Sequence, residues 1–105
     1  MQIADDPVLN RFRVALDKTY GERIERIVLF GSRARGDAQP GSDYDIMVFL
    51  KDLRGFGREA RAIAEIEADI LADTGAVINA LPLAAGAYRE QTAVMRELRH
   101  DGLDL

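Results

Sequence analysis

The chain has 105 residues, enough for one hydrophobic core spanning residues 1–105 and too few for a second, substrate-binding domain. Hydrophobic residues make up 48% and charged residues 30%, which excludes wholesale disorder, and a net charge of −4 argues against a broad nucleic-acid-binding face. Cysteine is absent and His100 is the lone histidine, so disulfides, thiolate metal sites and histidine metal clusters are excluded.

The opening M-Q-I-A-D-D-P has neither a basic region nor an apolar run, so no signal peptide is expected. No apolar stretch approaches the length of a membrane span. These features predict a soluble cytoplasmic protein. Asp6-Pro7 reads as a helix start, with aspartate as the cap and proline at the first helical position. Val8, Leu9, Phe12, Ala15 and Leu16 then share one face, the arginines of Arg11–Arg13 lie on solvated faces, and Gly21 ends the segment.

Ile24 to Phe30 reads as a strand that delivers Gly31-Ser32 at its C-terminal end. Glycine at 31 lets the backbone turn sharply and admits a phosphate without a Cβ in the way. Ser32 is a good helix cap, so Arg33 to Arg35 can form a short helix whose free N–H groups attract an anion. Arg33, nearer the helix start, is the expected phosphate contact, since guanidinium groups favour phosphate geometry. Arg35 is expected in a surface ion pair with Asp37.

Gly36, Pro40 and Gly41 break the chain into a loop, and Ser42 returns it to a strand over Asp43 to Lys51. Ile46 to Leu50 are apolar on both faces, which marks a buried strand. Asp43 and Asp45 are separated by one residue, so both point to one face while Tyr44 points to the other, into the core. Two carboxylates that close repel each other, and a cation between them is the natural relief; paired oxygen ligands suit magnesium. A phosphate cradle facing a divalent-metal site is what nucleotidyl transfer requires.

Gly55 and Gly57 lead into a helix from about Arg58 to Asp73, with core stripe Ile63, Ile66, Ile70 and Leu71, stopped by Thr74-Gly75. Ala76 to Leu83 reads as a third strand, and a last helix from about Ala87 to Arg99 turns Val94, Met95 and Leu98 to the core. The predicted fold is mixed α/β, a short mixed sheet with helices backing one side.

Gly31-Ser32 followed ten residues later by Asp43-Tyr44-Asp45 resembles the signature of the polymerase-β-like nucleotidyltransferases. The form G-S-R-A-R-G-D in so small a chain is most similar to their minimal nucleotidyltransferase (MNT) group. The resemblance is close from Ile27 to Leu50 and rests on element order elsewhere. It implies Mg2+ on Asp43 and Asp45, and a nucleoside triphosphate, ATP above all, held by Gly31, Ser32 and Arg33. For this group it also implies service as the antitoxin of a HEPN-domain ribonuclease toxin, in some members by transferring AMP to a toxin tyrosine.

One departure stands out. The family carries a third carboxylate on the strand after the long helix, but no acid lies between Gly75 and Gly86, and Asn79 occupies the corresponding stretch. Its carbonyl can serve magnesium but brings no charge, and its amide cannot deprotonate a hydroxyl. Two further readings stand beside catalysis on a protein: neutralisation of a partner by contact alone, which Asn79 favours, and transfer to a small molecule, which the lack of room for an acceptor domain disfavours.

Overall fold

A computed structural model describes residues 5–105 of the chain; the N-terminal segment Met1 to Ala4, read above for a leader, lies outside the described residues. Asp6 Oδ1 accepts the N–H groups of Val8 and Leu9 at 2.9 and 3.2 Å, and with Pro7 opens helix α1, Pro7–Tyr20. A 3-10 turn over Gly21–Arg23 feeds strand β1, Ile24–Phe30. There follow the single-turn helix α2, Ser32–Arg35, strand β2, Tyr44–Leu50, and helix α3, Phe56–Thr74. Strand β3, Ile78–Ala84, leads through a 3-10 turn at Ala85–Arg89 to helix α4, Ala93–Asp101, and strand β4, Leu103–Asp104.

The four strands form one sheet in the order β3-β2-β1-β4, with β2 parallel to β3 and β1 antiparallel to both β2 and β4. Alternation along β1 and β2 divides the core into two layers. Ile27, Leu29, Ile46 and Val48 pack with Leu9, Phe12 and Leu16 of α1 and Ile63 and Ile70 of α3. Val28, Met47 and Phe49 point the other way and pack with Met95 and Leu98 of α4. Helices thus cover both faces, not one. This is why Ile46 to Leu50 read as a continuous apolar run: β2 is central and buried on both sides.

Several boundaries and core assignments differ from the sequence reading. Helix α3 begins at Phe56, and β3 begins at Ile78. Leu71 is 49% exposed and Val94 is 56% exposed, because each stands about a quarter-turn off the buried stripe of its helix. Helix α4 starts only at Ala93, where Thr92 Oγ1 accepts the Met95 N–H at 3.1 Å; Ala87 to Arg89 belong to the preceding 3-10 turn. Strand β4 has no sequence signal at two residues long. It is placed by Gly102, where a Cβ would lie 2.4 Å from the Leu98 carbonyl oxygen and 2.5 Å from Val28 Cγ1.

The outer edge of β3 is closed chemically. Glu67 Oε2, on α3, accepts the outward N–H of Ala80 at 2.8 Å. Pro82, two residues on, falls on the same side and has no N–H to offer. Among the described residues no helix is long and apolar enough to cross a membrane.

Candidate active site

Phe30, the last residue of β1, pairs across the sheet with Asp45 near the start of β2, so Gly31 emerges directly beside that carboxylate. Gly31 has φ +73 and ψ −157, a conformation essentially confined to glycine. A Cβ there would lie 2.5 Å from Asp45 Oδ2. Both the backbone angle and the acid therefore demand glycine. The Gly31 carbonyl accepts the N–H groups of Ala34 and Arg35 at 3.1 and 3.2 Å, which leaves those of Ser32 and Arg33 without a partner in the helix. Gly31 itself is the cap of α2; Ser32, expected there, is the first helical residue.

Asp45 stands on the α4 face of β2, the face opposite the buried Tyr44. Asp43 is the loop residue just before that strand. Asp43 Oδ2 accepts a hydrogen bond from Asn79 Nδ2 at 3.0 Å, and Asn79 is the register partner of Asp45 on β3. The structure thus brings Asn79 to the two acids, with its amide nitrogen, not its carbonyl, facing Asp43. Among the described residues neither Asp43 nor Asp45 has a cationic partner, whereas Asp17, Asp37, Glu59, Asp73 and Asp104 each do. No group of three or more His, Cys, Asp or Glu gathers among the described residues. Two uncompensated carboxylates with oxygen donors fit a hard cation such as magnesium that draws its other ligands from water and phosphate.

Arg33 is not aimed at this cradle. Its Nε and Nη2 both donate to the Ser42 carbonyl, at 2.9 and 2.7 Å, and its guanidinium carbon lies 3.9 Å from the centre of the Tyr44 ring, on the side of the sheet away from Asp45. The Tyr44 hydroxyl donates to Asp6 Oδ2 at 2.8 Å. Burial first, and then this bond to Asp6, push the phenol up to about 12, so it stays a donor. Arg35 is the arginine on the carboxylate side. It lines a cleft of about 350 Å3 with Phe30, Gly31, Met47, Leu98 and the acids Glu97 and Asp101. Among the described residues it is tied by an exposed, 3.3 Å pair with Asp37. The one-turn spacing of α2 separates the two arginines, and sequence reasoning chose the one that the Tyr44 ring captures. The role of Asp6 beyond capping carried no sequence signal at all, since Tyr44 lies 38 positions away.

Two candidate protein adenylyltransferases of Methanocaldococcus jannaschii resemble the chain. MJ0141 is 30% identical over 46 residues, 44% of this chain and 46% of the relative. MJ0604 is 43% identical over 44 residues, 42% of this chain and 44% of the relative. The chain spans less than half the length of either. A toxin–antitoxin crystal structure with AMP-PNP has the same fold, with a TM-score of 0.64 at 20% identity over 90% of this chain and 69% of that one. The nucleotidyltransferase domain model matches residues 9–85, across both strands that present the glycine and the aspartates, and the chain belongs to the nucleotidyltransferase domain family.

Proposed function

We propose that the protein is the antitoxin of a HEPN-domain ribonuclease toxin, and that it transfers AMP from ATP to a tyrosine of that toxin in the cytoplasm. The observation that carries this reading is the pair Asp43 and Asp45, uncompensated by any cation among the described residues, with Asp45 set against the bare Cα of Gly31. The likeness to a toxin–antitoxin structure holding AMP-PNP, and to two candidate protein adenylyltransferases, supports the choice of acceptor and nucleotide.

In the reaction an acceptor oxygen attacks the α-phosphorus of ATP. The bond to the β-phosphate breaks, pyrophosphate leaves, and the acceptor proton passes to water. Asp43 and Asp45 would hold Mg2+, which when bound neutralises phosphate charge and favours the in-line displacement. The N–H groups of Ser32 and Arg33, left without a partner in the helix, would serve the triphosphate at Gly31, and Arg35 would offer a guanidinium from the neighbouring cleft. Asn79 holds Asp43 in place through its amide. In this reading the partner presents the acceptor oxygen.

The test is incubation with the purified HEPN protein and ATP labelled at the α-phosphate. Label should stay on the partner and vanish in the Asp43→Asn, Asp45→Asn variant. A second reading, neutralisation by contact alone, is favoured by one observation: the polar group that β3 brings to the acids is a neutral amide. Neutralisation without label would establish that second reading and overturn the first.

A further inference from the structure

Asp43 lies outside the strand ladder, at the end of a loop from Gly36 to Ser42 that contains Pro40 and Gly41. Something must hold that loop, because an acid free to swing would leave the metal–phosphate geometry undefined. Asn79 tethers Asp43 from the carboxylate side; a second set of contacts reaches Ser42 and Tyr44 from behind, on the opposite face. Arg33, two residues after Gly31, grips the Ser42 carbonyl with two donors at 2.9 and 2.7 Å. Its guanidinium carbon sits over the Tyr44 ring, 3.9 Å from the ring centre, and Tyr44 is the residue between the two acids. Tyr44 in turn donates to Asp6 at 2.8 Å, and Asp6 is immobilised by the first N–H groups of α1. Asp6 and Tyr44 are 7% and 6% exposed, so the far end of this chain of contacts is inside the core.

We propose that Arg33, backed by Tyr44 and Asp6, is a positioning residue: a clasp that fixes the spacing between the Gly31 cradle and the Asp43–Asp45 pair. The proposal rests on the reading of those acids as the magnesium–nucleotide site. The clasp spans the loop that connects the two halves of the site, so it preorganises their separation without touching either ligand. It therefore differs from a phosphate contact in what it governs. An arginine on the phosphates serves nucleotide binding with or without metal, whereas the clasp serves only the part of binding that needs both halves at once.

The experiment is calorimetry of ATP, with and without magnesium, on the wild type, Arg33→Ala, Arg33→Lys and Tyr44→Phe, with limited proteolysis of the metal-free proteins. A doubly bonded, charge-assisted contact of this kind predicts roughly a tenfold loss of magnesium-dependent ATP affinity in Arg33→Ala. ATP affinity without magnesium should not change. Arg33→Lys and Tyr44→Phe should lie between, and cleavage between residues 36 and 43 should quicken in Arg33→Ala while the melting temperature moves little. Equal losses with and without magnesium would make Arg33 a phosphate contact and overturn the clasp. Unchanged affinity in all three variants would overturn it too, as would loss of the fold in Arg33→Ala, which would make the arginine a core support. Absence of magnesium-dependent ATP binding in the wild type would instead overturn the site itself.

Discussion

Gly31 and Asp45 occupy each other's space so closely that one side-chain carbon decides whether both can stay where they are. Gly31→Ala should cost about 1–3 kcal/mol from the backbone angle alone. It should also displace Asp45, so magnesium-dependent ATP binding should fall further than stability does; parallel calorimetry and thermal melts check this. The acids themselves work in the opposite sense. Asp43→Asn with Asp45→Asn removes two crowded charges, and the melting temperature without metal should hold or rise. Magnesium and ATP together should raise the melting temperature of the wild type and leave that of the double variant unmoved. A large loss of melting temperature in the metal-free variant would mark the aspartates as structural. Asn79 tests the remaining corner. Asn79→Asp replaces a donor 3.0 Å from Asp43 Oδ2 with a third negative charge, so stability without metal should drop. Stability should then depend more steeply on magnesium, which a melting series across a magnesium titration reads directly. The turn at Gly31, and Asp45 on the face opposite Tyr44, were legible in the sequence because each follows from local rules: a turn, and a period of two. The partners of the arginines were not. Arg33 and Arg35 differ by two positions on one helical turn, and only the Tyr44 ring and the Ser42 carbonyl decide between them.

At the scale of elements, the closed edge of β3 carries a pH signature. Burial raises the Glu67 carboxyl above its usual range, while the N–H of Ala80 opposes that shift and does not cancel it. The folded chain therefore binds this proton more tightly than the unfolded chain does. The contribution of Glu67 to stability accordingly falls as pH rises from the ordinary glutamate value of 4.5 to its raised folded value, and is constant beyond. Glu67→Gln keeps an oxygen for Ala80 and removes the charge. Its melting temperature should match the wild type in acid and exceed it near neutrality, and melts across that range check the sign. Gly102 sets the other end of the sheet. Gly102→Ala would push a methyl group into Val28 and the Leu98 carbonyl, and overpacking of this kind costs about 1–3 kcal/mol. Strands and long helices announce themselves by periodicity, which is why β1, β2 and α3 were readable to within two residues. The start of α4 was not, because the 3-10 turn at Ala85–Arg89 is held by Tyr88, whose ring meets Phe49 at 5.4 Å and carries Arg26 at 4.1 Å. Those are distant contacts with no local pattern.

For the whole molecule, the sequence pointed to a mixed sheet and to helices, but not to how the helices divide between its faces. Apolar alternation in β1 is nearly absent, since Ile27, Val28 and Leu29 are all buried, and such a strand does not say on which side α4 will land. The two-residue strand β4 has a further consequence, which concerns time. It joins the sheet by pairing Val28 with Asp104 and Leu29 with Leu103, across almost the whole intervening chain, and both of its residues are exposed. Loop closure over that separation is slow relative to the neighbouring β1–β2 pairing, so β4 should dock last and release first. Amide exchange should show the Leu105 N–H, bonded to the Ile27 carbonyl at 2.9 Å, surrendering its proton long before those of β2. The glycine and the aspartates hang on the β1–β2 pair, so fraying of this edge is a motion the site does not feel.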